Sequence, residues 1–145
     1  MDMFKHAVCN EQGHLFEIFW GIPYESEELV KNFMNCEISE GLDRRYCPYQ
    51  WLGEAYLFEE FLKTNIDAFI PKTKEYNKEA LYWMGYIYRY WHFYTGENSR
   101  EIYKQTPFRV MCDHYYIFHT MAPQLAIDNL KEIYQYALKR ESGGS

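Results

Sequence analysis

Residues 79–94 read Glu79-Ala-Leu-Tyr-Trp-Met-Gly85-Tyr-Ile-Tyr-Arg89-Tyr-Trp-His92-Phe-Tyr94, and nearly every position in the run is apolar or aromatic. Ala80, Met84, Ile87, Trp91 and Tyr94 recur at helical spacing, and a helix that is apolar almost all round belongs in an interior. Met84, Ile87 and Trp91 are therefore expected to be almost fully buried. The opposite side of the same helix carries Tyr82, Gly85, Tyr86, Arg89, His92 and Phe93, so hydroxyls, a guanidinium and an imidazole lie beside a glycine notch. This side has two readings. In one it is a binding surface, because Gly85 admits another backbone or a ligand while Arg89 and His92 supply donors. In the other, Arg89 ties neighbouring loops through carboxylates such as Glu97 or Glu101, and His92 is hydrogen-bonded inside.

Working outward toward the C-terminus, Gly96 reads as the left-handed residue that closes this helix. Asn98 with Glu101 has capping-box spacing and opens a short helix ending at Thr106, before Pro107. Phe108, Met111, Cys112, Tyr115 and Phe118 follow at helical spacing. After Pro123 a last helix is expected to turn Ala126, Leu130, Ile133 and Ala137 inward, with Lys139 and Arg140 favouring its negative end.

Toward the N-terminus, Lys72 to Lys78 reads as a polar linker preceded by Pro71. Trp51, Ala55, Phe58 and Leu62 form the expected buried stripe of an amphipathic helix. Residues 39–48, with Gly41 and Asp43-Arg44-Arg45, read as a solvated connection. Ser26 followed by Glu27 and Glu28 reads as an N-cap for a helix that buries Leu29, Val30, Phe33 and Met34. Residues 14–20 fit a turn and a half of helix or a short strand, with helix favoured, ended by Gly21 and Pro23. The expected fold is all-α, an orthogonal bundle of five to six helices with a helix-turn-helix-like C-terminal half. One domain covers residues 1–141, and 142–145 reads as a flexible tail or vector-derived remnant.

At 145 residues the chain suits one domain, and 20% of it is aromatic, which supplies the bulk that disordered sequences lack. Its tyrosines suit both core edges and protein interfaces. A net charge of −6 disfavours collecting nucleic acid. Cys9, Cys36, Cys47 and Cys112 are scattered without zinc or redox spacing, so reduced thiols are expected. The first residues hold charges rather than a signal-peptide core, and no apolar run is long enough to span a membrane, so a cytoplasmic protein is expected.

Catalytic patterns are sparse. Paired carboxylates, a nucleophile with its base and a glycine-rich phosphate loop are not recognisable, and no metal site or cofactor is assigned. His114 and His119, five apart, face different ways on a helix, and His6 with Cys9 makes only two ligands. Arg109 and His114 share the Arg-x4-His spacing of HEPN ribonucleases, to which this resemblance points as the enzymatic alternative, although Val110 stands where those proteins place a polar residue. The helix-turn-helix outline lacks DNA chemistry, because its would-be reading helix sets Arg109 alone against Asp113 and four aromatics.

The segment 80–104, with Phe118-His-Thr-Met121 and the run Ala-Ile-Asp-Asn-Leu-Lys-Glu at 126–132, resembles a family of small uncharacterised helical proteins of Gram-positive anaerobes. Some of these resemble the antitoxin side of toxin–antitoxin loci. The resemblance covers about the last 65 residues and implies no catalytic residue. Relatives carry Asp-Pro where this chain has Ala122-Pro123, which implies a weaker start to the last helix. The function expected is a bacterial, cytoplasmic, non-catalytic protein-binding domain that neutralises a partner protein such as a toxin, with Tyr82, Gly85, Tyr86, Arg89 and His92 as its candidate face. An acidic nucleic-acid mimic is a third class, which the charge neither favours nor rules out.

Overall fold

Asn77 caps the central helix by accepting hydrogen bonds from the amides of Glu79 and Ala80, and Gly96, at φ +81°, closes it. The computed structural model describes residues 1–44 and 52–143. Its helices are α1 (Met3–Gly21), α2 (Ser26–Met34), α3 (Glu37–Leu42), α4 (Gly53–Thr64), α5 (Lys78–Thr95), α6 (Ser99–Gln105), α7 (Phe108–Phe118) and α8 (Pro123–Gly143). A 3-10 turn at Ile66–Ala68 and an antiparallel bridge between Tyr24 and Pro71 complete the regular structure of the described residues. The protein is all-helical there, with eight helices rather than five or six.

α5 is the axis of the core, and α1 lies along it with the most extensive packing of any pair. Two glycines make this possible. A Cβ on Gly85 would stand 2.5 Å from the Gln12 carbonyl oxygen, and one on Gly13 would stand 2.6 Å from the Tyr82 ring. Phe16, Phe19, Phe33 and Phe61 then bring α1, α2 and α4 into one aromatic cluster, with ring centroids 5.2–6.2 Å apart. Met84, Ile87 and Trp91 are buried as expected, whereas Tyr94 is exposed and donates its hydroxyl to Asp128.

Several expectations need correction. The helix favoured over 14–20 is present and ends at Gly21 as expected, but it is longer, starting at Met3 and capped by Asp2, because Val8, Cys9, Leu15, Phe16 and Phe19 all reach the core along it. The N-cap of α2 is Glu25, and Ser26 is its first residue, with a buried hydroxyl that meets no partner among the described residues. The first residues of the expected solvated connection, 39–42, belong instead to the helix Glu37–Leu42, and Ser39 and Leu42 are buried. In α4 the fully buried residues are Leu57 and Phe61; Phe58, of the expected stripe, is half-buried against Phe19, while Ala55 and Leu62 face out. α8 buries Ala126, Ile127 and Leu130 but leaves Ala137 exposed, and it continues through Ser142 to Gly143. Arg45, Cys47, Pro48 and Trp51 lie outside the described residues, as do Gly144 and Ser145.

No helix among the described residues is long and apolar enough to cross a membrane. Cys9, Cys36 and Cys112 are free thiols. Burial pushes the Cys9 thiol up to about 12, and burial with the nearby Asp113 and Glu27 charges does the same for Cys112. Neither is a reactive thiolate near neutrality.

Candidate functional site

The five candidate residues fall into two groups on α5. Gly85, Arg89 and His92 point into the protein, and Tyr82 and Tyr86 line a cleft on its side.

Arg89 is fully buried and uses three of its nitrogens. Nε donates to Gln12 Oε1 at 2.8 Å, Nη1 to Asp43 Oδ1 at 2.6 Å and Nη2 to Ser99 Oγ at 3.1 Å. Each partner is itself satisfied. Gln12 Nε2 donates to the Gly85 carbonyl at 3.0 Å, so the residue held by Arg89 also fastens α1 at the glycine crossing. Asp43 accepts from the Ser99 amide at 2.9 Å and the Ser99 hydroxyl at 2.8 Å, which satisfies an otherwise orphaned amide at the start of α6. The guanidinium thus joins α1, the end of α3 and the start of α6 to α5. Its carboxylate partner is Asp43, not Glu97 or Glu101, and the Asp43 side chain is one-tenth exposed instead of solvated.

His92 packs beside this network with Nδ1 2.7 Å from the Glu97 carbonyl oxygen. Burial, reinforced by the Arg89 charge, holds its pKa below the ordinary imidazole value, so the neutral ring donating to that carbonyl is the favoured form. Glu97 works separately. Its carboxylate accepts from Trp91 Nε1 at 3.0 Å, Gln105 Nε2 at 2.5 Å and Lys131 Nζ at 2.5 Å, tying α5, α6 and α8 together. Burial alone would raise this carboxyl, but the donated bonds outweigh it and hold it at about 2.

Tyr82 and Tyr86 are half-buried. Their rings stand 6.2 Å apart at the wall of a cleft of about 350 Å³ between α5, α7 and the turn into α8. Both hydroxyls are anchored on α1, Tyr82 donating to Asn10 Oδ1 and Tyr86 pairing with His6 Nδ1 at 2.7 Å. Glu79, Trp83 and Tyr115 line the same cleft. Glu79, Tyr82, Trp83 and Tyr86 have i, i+3, i+4, i+7 spacing, so the sequence alone could have joined Glu79 and Trp83 to the two tyrosines.

Arg109 and His114 are both on α7, about 140° apart around its axis for five helical steps. Arg109 is exposed and sits 3.4 Å from Glu27, while His114 Nδ1 lies 2.8 Å from the Val110 carbonyl oxygen and its ring stacks on Phe118. Among the described residues, no group of three or more His, Cys, Asp or Glu side chains is placed to hold a metal ion. Compared with known proteins, the chain matches no family model, no curated protein and no solved structure.

Proposed function

We propose that this chain is a non-catalytic protein-binding domain, acting in the cytoplasm, that neutralises or inhibits a partner protein by covering it. The observation that carries this reading is the last part of α8. From Gln135 to Gly143 every residue is exposed, about two and a half turns that extend past the core with Tyr136, Ala137 and Leu138 among them. A helix segment that leaves this much of its surface uncovered gains little from propensity alone, so a partner surface is the natural source of further stability. At its base a groove of about 440 Å³ is lined by Phe118, the partly buried Met121, Ile133 and the exposed Tyr136, and tyrosine and methionine are enriched in protein interfaces.

Some members of the small-protein family that residues 80–104, 118–121 and 126–132 resemble look like the antitoxin side of toxin–antitoxin loci, which makes a toxin the partner class to test. The finer architecture in this reading is an orthogonal bundle whose α5–α6–α7 run has a helix-turn-helix outline in shape only.

The test is co-expression with the protein encoded beside it. The full chain should suppress that partner's toxicity, and Tyr136→Asp should not, while residues 135–143 exchange their amides rapidly alone and slowly in the complex. Unchanged suppression by Tyr136→Asp would remove α8 from the interface. RNA cleavage by the purified chain that is lost in both Arg109→Ala and His114→Ala would replace this reading with the HEPN-like ribonuclease.

A further inference from the structure

The cleft between α5 and α7 shares Met121 with the groove at the base of α8, and the rest of its lining is not used by the protein-binding reading. Four aromatic residues, Tyr82, Trp83, Tyr86 and Tyr115, contribute to its walls, Met121 and Pro123 lie at the turn into α8, and among the described residues neither lysine nor arginine lines it. Glu79 supplies a carboxylate from the first turn of α5 and accepts a long bond of 3.5 Å from the Tyr115 hydroxyl. The rings are held before any ligand arrives. Tyr82 and Tyr86 are anchored through their hydroxyls to α1, and Trp83 meets Tyr115 edge to face at 5.7 Å. His119 Nδ1 is 2.8 Å from the Tyr115 carbonyl oxygen, which keeps that ring against Tyr115 at the cleft wall.

Aromatic faces carry negative potential at their centres, and several of them around one space attract a cation that sheds water easily. A quaternary ammonium group is such a cation, because its charge is spread over methyl groups that also favour an apolar wall. A carboxylate at the cleft adds attraction of the same sign, and the net charge of −6 opposes an anionic ligand. Fixed rings lower the ordering cost of binding.

We propose that this cleft is a binding site for a small organic cation bearing a quaternary ammonium head, seated among Tyr82, Trp83, Tyr86 and Tyr115 with Glu79 beside it. The inference is independent of the α8 interface.

The test is a calorimetric titration of the full chain with choline and with 3,3-dimethylbutan-1-ol, which has the same shape without the charge. Choline should bind saturably, at least about tenfold more tightly than the neutral alcohol, as a cation–π contribution of this kind requires. Tyr86→Leu, which keeps an apolar side chain but removes a ring and its anchor, should weaken choline binding about tenfold with an unchanged circular dichroism spectrum. Glu79→Gln, at an exposed position, should weaken it severalfold. Equal affinity for the two probes would show an apolar cleft without cation recognition and overturn the proposal. So would the absence of saturable choline binding, or unchanged binding by a folded Tyr86→Leu protein. If Tyr86→Leu does not fold, the Glu79→Gln titration and the comparison of probes decide.

Discussion

A methyl group added at Gly85 would stand 2.5 Å from the Gln12 carbonyl oxygen and 2.9 Å from Gly13 Cα, both of them backbone atoms of α1 that cannot move without moving the helix. Gly85→Ala should therefore cost about 3 kcal/mol through overpacking. Gly21→Ala is the control, since nothing among the described residues lies within 4 Å of its added Cβ, and it should leave the urea midpoint unchanged or slightly raised. Equal midpoints for the two variants would mean that α1 and α5 are not in close contact. Glu11 offers a second test. Burial, with the nearby Glu54 charge, raises its carboxyl to about 7, and its Oε2 meets no hydrogen-bond partner among the described residues. The protonated form is thus favoured by folding, and stability falls as pH rises from about 4.5 to about 7. Glu11→Gln should stabilise the protein by about 1–2 kcal/mol at pH 8 and by almost nothing at pH 4.5, measured by thermal melts at both values. The sequence marks Gly85 as a notch that admits another backbone or a ligand at a binding surface, and the structure sets a backbone of the same chain there. That the backbone belongs to α1 was not legible, because Gln12 and Gly85 are far apart in the chain.

The elements show the same division between local and distant signals. Gly96, Asn98 and Glu101 behave as read, with the left-handed cap and the complete capping box, because each acts within a few residues of itself. The α4 stripe is centred on Leu57 and Phe61, with Phe58 half-buried at its edge, because Phe58 and Leu62 are as apolar as Leu57 and Phe61 and periodicity alone does not choose between them. Only the location of α1 and α2 decides which pair is covered. Asp43 carries no local sign of burial because its partner, Arg89, lies 46 residues away. Glu97 joins three helices, and its carboxyl, held at about 2, contributes stability that is present above about 4.5 and is lost as pH falls toward 2. Glu97→Gln should cost on the order of 1–3 kcal/mol at pH 7, shrinking toward zero at pH 2. Denaturant titrations across that range check this, and a cost independent of pH would contradict it.

For the whole molecule, the candidate face divides into an interior half and an open half. Gly85, Arg89 and His92 lock the helices together, and Tyr82 and Tyr86 leave ring surface at a cleft. The sequence placed all five on one side of one helix but held no signal for where α1 would cross it, and that crossing makes the division. A domain whose most polar interior group touches four elements should unfold as one unit. Replacing Arg89 by alanine strands the Asp43 carboxylate and Gln12 inside, where breaking a buried pair costs about 3–5 kcal/mol. Lysine keeps the charge but cannot reach three acceptors in one plane, so Arg89→Lys should recover little of it. The direct measurement is guanidinium unfolding of wild type and Arg89→Ala, followed by tryptophan fluorescence and far-ultraviolet circular dichroism together. The account predicts coincident single transitions in the wild type and a midpoint lowered in proportion to that loss in the variant. An unchanged midpoint in Arg89→Ala would contradict it.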